Sequence, residues 1–248
     1  MVWNKTESLS LDYNSFVSLQ NDNYDKLYIM LGIKFEGIIL KRRNLGEADR
    51  ILTVFSLQRG KISVLAKGVR RITSRRAGNV ELLNRVSLYL HQAKTFLILT
   101  EATSLDTYQK LKEDLTLSTY AFHIIELIDK LTAENQENRI LYEHLVAVLQ
   151  RLSRNPRQIL VRAFEIKILT NLGFISFQNP KVQLQFHPRG GSGKLLKDLE
   201  MMSWDEVEKM EIDQKQALEL EKVLRYHVER VIEGELKSRQ ILGKIKYE

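Results

Sequence analysis

From Gly32 to about Ala102, apolar and polar positions alternate in short runs with the two-residue period of half-buried strands. Five strands are predicted: Lys34 to Leu40, Arg50 to Phe55, Lys61 to Lys67, Val80 to Leu90 and Phe96 to Ala102. In the third, Ile62, Val64 and Ala66 share one face while Lys61, Ser63, Leu65 and Lys67 share the other, so one side meets a core and the other is at least half wet. Arg59-Gly60 marks the turn before it, and Gln92-Ala93-Lys94 lies in the turn between the fourth and fifth strands. Five short strands with charged connections in about 70 residues fit a small, partly open barrel of the OB type, whose exposed face commonly binds single-stranded nucleic acid.

After Ser104 the period lengthens to that of a helix. Leu105, Tyr108, Leu111, Leu115, Phe122, Ile125, Leu127 and Ile128 keep helical spacing, with Ser104 or Asp106 as N-cap. A second helix is predicted from about Glu137 to Leu152. A third starts at Pro156 and ends at Gly173, a residue suited to the left-handed position past a helix. Between Phe174 and Leu196 the pattern breaks into Gln, Asn, Pro and Gly with a short alternation at Val182, Leu184 and Phe186, which predicts a hairpin-like or irregular insert. Two further helices are predicted at about Ser203 to Met210 and Asp213 to Glu233. The first 29 residues, rich in Asn, Ser, Asp and Tyr, show no sustained period and read as a flexible extension. The expected organisation is α+β: an extension over 1–29, an OB-type nucleic-acid-binding domain over 30–103, and a helical domain over 104–248 with an insert at about 174–196.

Composition narrows the chemistry. A chain of 248 residues with 44% hydrophobic and 28% charged residues has globular proportions, and its length favours two domains over one. It contains no Cys, which excludes disulfides, a thiol nucleophile, iron–sulfur clusters and zinc sites built on thiolates. No apolar run approaches the length of a membrane helix, the mean hydropathy is -0.26, and the N-terminus lacks the basic start and apolar stretch of a secretory signal. The expectation is a soluble, cytoplasmic, nucleoid-associated protein with no membrane partner.

Charge changes the picture further. The net charge is +7, yet residues 31–90 alone hold 13 basic and 4 acidic side chains, leaving 25 basic and 27 acidic in all the rest. A field concentrated in one quarter of the sequence suits collection of a polyanion, because each Lys or Arg set against a phosphate releases condensed counterions. The strongest cluster is the segment Gly68 to Gly78, GVRRITSRRAG, with Arg70, Arg71, Arg75 and Arg76 and no carboxylate. Arginine grips phosphate with a forked donor or stacks on a base. Lys41, Arg42 and Arg43 form a second cluster at the end of the first strand, and Lys61 and Lys67 bracket the third. These nine residues are the candidate DNA contacts. Asp49 and Arg50 read as structural, Asp49 holding its turn and Arg50 pairing with Glu47. Of the rings Phe35, Phe55, Tyr89 and Phe96, alternation assigns most to the core.

Enzyme signatures are weak. Gly190-Gly191-Ser192-Gly193-Lys194 resembles part of a phosphate-binding loop, but Leu195 stands where a magnesium-holding hydroxyl is needed and no buried strand precedes it, so it reads as a flexible turn. The five histidines, His91, His123, His144, His187 and His227, are scattered without metal-ligand spacing. The stretch Asp205, Glu206, Glu208, Glu211 and Asp213 reads as a solvated surface. No catalytic residue, metal, cofactor or small-molecule substrate is therefore assigned. Two classes remain: a non-catalytic DNA-binding mediator, and an OB-type RNA or ribosome-associated binding protein.

The order Gly46-Glu47-Ala48-Asp49-Arg50, Phe55, Arg59-Gly60-Lys61 and Ala66-Lys67-Gly68-Val69-Arg70-Arg71, preceded by Glu36-Gly37-Ile38-Ile39-Leu40-Lys41-Arg42-Arg43, resembles the RecO family of bacterial DNA repair proteins. Arg162-Ala163-Phe164-Glu165, Leu172-Gly173-Phe174 and Leu236-Lys237-Ser238-Arg239 extend the resemblance over most of the chain. It implies an OB-type domain packed on a helical one, no catalysis, binding of single- and double-stranded DNA, strand annealing, and recombinase loading together with RecR on strands coated by single-strand-binding protein. Many family members carry a four-cysteine zinc site after the segment matching Gly173. Here Gln178-Asn179-Pro180 and His187-Pro188-Arg189 stand in its place, so no zinc role is carried over.

Overall fold

The computed structural model describes residues 32–94, 96–176, 178, 192–234 and 236–238. The predicted N-terminal extension and the alternation at Val182, Leu184 and Phe186 lie outside these residues. Five strands, β1 (Ile33–Leu45), β2 (Asp49–Ser56), β3 (Gly60–Ala66), β4 (Arg85–Gln92) and β5 (Leu97–Asp106), form a closed barrel in the order β1-β2-β3-β5-β4. All pairings are antiparallel except β3 with β5, whose short parallel contact, Val64 with Leu97 and Leu65 with Ile98, completes the closure. This is an OB-type barrel. Its interior is filled by Phe35, Ile39, Leu52, Val54, Ile62, Val64, Val86, Leu88, Leu90 and Leu99. In β3 the burial alternates as the sequence predicts, Ile62, Val64 and Ala66 inward and Ser63 outward.

The predicted fourth strand starts five residues too early. Val80 and Leu83 are buried, but as plugs from a loop: Leu83 has a left-handed backbone (φ 68), and the Asn84 amide donates to the carbonyls of Gly78 and Asn79.

Seven helices follow among the described residues: α1 (Gln109–Glu113), α2 (Leu115–Leu131), α3 (Arg139–Arg154), α4 (Gln158–Asn171), α5 (Ser192–Met201), α6 (Trp204–Lys209) and α7 (Gln214–Ile232). The single helix expected after Ser104 is in fact the end of β5, a break and two helices. Strand β5 runs to Asp106, Tyr108 turns left-handed (φ 46), and Asp114, not Ser104 or Asp106, caps α2 by accepting from the Leu117 N–H. The third predicted helix begins at Gln158 rather than Pro156, and Gly173 ends it with φ +75 as expected. Ser203 and Asp213 cap α6 and α7 through capping boxes. Helix α5 replaces the end of the predicted irregular insert. Leu195, Leu196 and Leu199 bury one face of it, so Ser192 to Lys194 open a helix and are not a flexible turn.

Barrel and helices share a seam. Ile38, Leu40 and Phe55 leave the barrel interior and join the helical core with Tyr142, Leu145 and Leu149 of α3. Glu36 ties the two parts together, accepting from Arg85 at 2.6 Å and from the Tyr142 hydroxyl at 3.0 Å. Gly60 is required here twice over: its φ is +65, and a Cβ would lie 1.9 Å from the Gln136 carbonyl. Among the described residues no helix is long and apolar enough to cross a membrane.

Candidate nucleic-acid interface

The outward faces of β1, β2 and β3 form one continuous surface. Register aligns Lys41 with Thr53 and Ser63, then Arg43 with Ile51 and Leu65. Two residues further on, Lys67 follows the end of β3 and leads into the arginine segment. Two open grooves lie on this face. One of about 500 Å³ is lined by Lys41, Arg42, Arg43, Ile51, Thr53 and Ser63; the other, of about 580 Å³, by Asp49, Lys67, Arg71, Ser74, Arg75 and Arg76.

The arginine segment is a series of tight turns closed by Arg71 N–H to Gly68 O (3.2 Å), Ser74 N–H to Arg71 O (2.9 Å) and Asn79 N–H to Arg76 O (3.1 Å). Its start is set by Gly68, at φ +65, whose N–H donates to the Asp49 carboxylate at 2.7 Å. Val69 and Val80 insert into the barrel core at either end. Between them Arg76 acts as a strut, donating to the carbonyls of Leu99 (2.7 Å) and Lys67 (2.8 Å). Arg70 binds the β1–β2 turn through its side chain to Gly46 O (2.9 Å) and its N–H to Ala48 O (2.9 Å). The segment is thus a fixed rim.

The nine predicted contacts separate into two groups. Arg43, Lys67, Arg70, Arg71 and Arg75 are exposed, and the described residues include no carboxylate within ion-pair distance of any of them. The other four have partners within the fold, although Lys41 is itself exposed, at 57% of its side chain. Lys41 pairs with Asp129, and Arg42 pairs with Glu81. Lys61 donates to the Asp129 carbonyl at 2.5 Å across the seam; burial pushes its pKa down despite Asp129 and Glu134 nearby. Arg76 serves as the strut. Asp49 holds the Gly68 turn, not its own. Arg50 pairs with Glu81 (3.4 Å) and reaches Asn44 rather than Glu47, because β2 carries it back over β1 toward the loop that follows the arginine segment. Phe35 and Phe55 are core residues, whereas Tyr89 and Phe96 are exposed.

Sequence reasoning did not find the buried polar network of the helical domain. His123, fully buried on α2, contacts Glu165 of α4 at 2.7 Å and Ser238 Oγ at 3.1 Å. Glu165 also receives Arg162 at 2.8 Å, and Arg162 reaches Glu221 of α7 at 3.3 Å. Glu126 accepts from Lys237 N–H and from Ser238 N–H and Oγ. Burial would raise the Glu126 carboxyl; these bonds, with His123 nearby, hold it below the ordinary value. A hydroxyl, an imidazole and a carboxylate in line have the order of a hydrolytic triad. His123, Glu165 and Ser238 are buried, however, and the grooves described above lie on the barrel, so the network serves to clamp α2, α4, α7 and residues 236–238 together. Arg162, Glu165 and Ser238 stand in segments that carry the family resemblance, but nothing local pairs them with His123, whose partners are 42 and 115 residues away in the chain.

Residues 30–108 match the family described as recombination protein O, N-terminal, and residues 112–176 match recombination protein O, C-terminal, together more than half of the chain. Among curated relatives, the DNA repair protein RecO of Acetivibrio thermocellus is 37% identical over 145 residues, 57% of this chain and 57% of that protein. The DNA repair protein RecO of Pelotomaculum thermopropionicum is 34% identical over 141 residues, 57% and 55% of the two chains. In both, the chain spans little more than half the length of the relative. The DNA repair protein RecO of Desulforamulus reducens is 25% identical over 241 residues, covering 86% of this chain and 94% of that one.

Proposed function

The chain belongs to the RecO family of DNA repair proteins, and we propose that it is a non-catalytic recombination mediator that binds single- and double-stranded DNA by its phosphates and speeds pairing of complementary strands. The observation that carries this reading is the fixed rim: Lys67, Arg70, Arg71 and Arg75, with Arg43 on the adjoining face, present exposed cations from a loop pinned by Val69, Val80 and Arg76. Annealing needs two like-charged strands to approach while their bases stay free. Cations that grip backbones neutralise the charge, and contacts made to phosphates leave the pairing edges open. No nucleotide hydrolysis is needed, because pairing is downhill by about 1.4 kcal/mol per step.

In this reading the helical domain, with no charge excess of its own, is the platform for RecR and for single-strand-binding protein. The deciding experiment is fluorescence-quench annealing of complementary oligonucleotides in chelator, with and without single-strand-binding protein. The expected result is faster pairing. Unchanged or slower pairing at saturating protein overturns the reading and leaves storage of single strands, or RNA binding, as the function of the rim.

A further inference from the structure

Ile72 stands at the tip of the arginine rim with a relative exposure of 104%, more open to water than any other large apolar side chain on the described surface. It occupies a central position of the turn that Ser74 N–H closes on Arg71 O. Turns favour Gly, Pro, Asn, Asp and Ser, and a β-branched apolar residue there has neither a conformational nor a packing reason. Folding gains nothing from it, since no apolar surface is removed from water. A local rule broken without a folding gain is expected where a residue meets a partner.

Its neighbours identify that partner. Arg71 precedes Ile72, Thr73 and Ser74 follow, and Arg75 closes the run, with Lys67 and Arg70 on the same rim. A hydrophobic protein groove is not recognised by a collar of cations, whereas a nucleic acid offers both halves of the match: phosphates outside and apolar base faces within. Isoleucine is among the side chains that wedge between base steps when flanking cations hold the backbone. The pinning by Arg76, Val69 and Val80 supplies the stiffness a wedge needs, because a floppy tip would lose the ordering entropy on insertion.

We infer that Ile72 is an apolar wedge that enters between neighbouring bases of DNA held by the surrounding arginines, unstacking them while the cations grip the backbone. This rests on the DNA-binding reading above and adds a residue and a consequence to it: bound strands are locally unstacked.

The test uses the full chain with single strands carrying 2-aminopurine, whose fluorescence rises when its stacking is lost. Wild type is expected to raise the signal at saturation, Ile72→Ala to lose most of that rise with an affinity loss of about tenfold, and Ile72→Leu to restore both. Melting temperature and the salt slope of binding stay unchanged in both variants, since the side chain is exposed and uncharged. Wild type that binds tightly without a fluorescence rise, or Ile72→Ala that keeps it, overturns the wedge and leaves phosphate binding standing. Wild type that fails to bind single strands overturns both readings.

Discussion

Arg75 on the barrel rim and Arg162 inside the helical domain carry the same guanidinium in opposite settings. Arg75 is exposed, at the lip of an open groove. Arg162 is 8% exposed and sits between Glu165, itself 0% exposed, and Glu221. Burial alone would lower the pKa of Arg162, and its two carboxylates more than reverse this. The difference lies in what water leaves for the charge to do. A solvated cation contributes little to folding and stays available to an incoming phosphate, whereas a desolvated one is costly unless paired and cannot be offered to a ligand. The barrel spends its basic excess on availability, and the helices use their charges as fixed joints.

The largest test of that contrast is Glu165→Ala, which takes one of its two carboxylates from buried Arg162 and the carboxylate partner from buried His123. Urea unfolding is expected to report a loss of about 3–5 kcal/mol. Replacing Arg162 and Glu165 together by Met and Leu should recover much of it, and a double variant as unstable as the single one would break the comparison. Next comes Arg76→Ala, which removes charge-assisted bonds to the Leu99 and Lys67 carbonyls. A loss of about 1–3 kcal/mol is expected, with weaker DNA binding as the rim loosens; unchanged stability would place Arg76 with the available cations.

Acid should act through the helical domain. His144, which accepts from the Trp204 N–H at 3.1 Å, has its pKa lowered to about 4 by burial and by Lys167. The unfolded chain therefore binds more protons than the folded one between its own value and about 4. The stability is fully present above the unfolded pKa and is lost as pH falls toward about 4, an effect of about 1 kcal/mol once solvent screening is allowed for. Stability curves of wild type and His144→Gln between pH 7 and 4 should diverge by that amount, and parallel curves would sink the assignment.

The smallest effect on folding should come from Lys67, Arg71 and Arg75 replaced together by Ala. Stability is expected to stay within about 0.5 kcal/mol, while the slope of log K against log salt, about −3.5 for five contacts, falls in magnitude by about 2. A destabilised triple variant would show that the rim cations are structural.

What the sequence by itself determined was what near neighbours decide. Alternation in Ile62, Val64 and Ala66 set the inward face of β3, helices were expected to begin at about Ser203 and Asp213 where α6 and α7 are capped, Gly173 marked its helix end, and the crowding of basic residues into 31–90 pointed to the barrel as the charged part. These signals are local because backbone geometry and capping act over one to four residues. Periodicity misled where burial came from elsewhere: Val80 and Leu83 are buried as loop plugs, and Leu105 to Leu115 crosses a strand end and a left-handed Tyr108.

Only the tertiary structure decided which of nine similar cations are available. Lys41 and Lys61 look like strand-end charges in sequence, and are drawn to Asp129 because α2 packs across the barrel. Arg76 differs from Arg75 by one position, yet the turns of the loop aim it at carbonyls of β5 and leave its neighbour in water. The network of His123, Glu165 and Ser238 joins residues up to 115 apart. The cost of desolvating a charge depends on everything that surrounds it, and that surrounding is assembled from segments far apart in the chain.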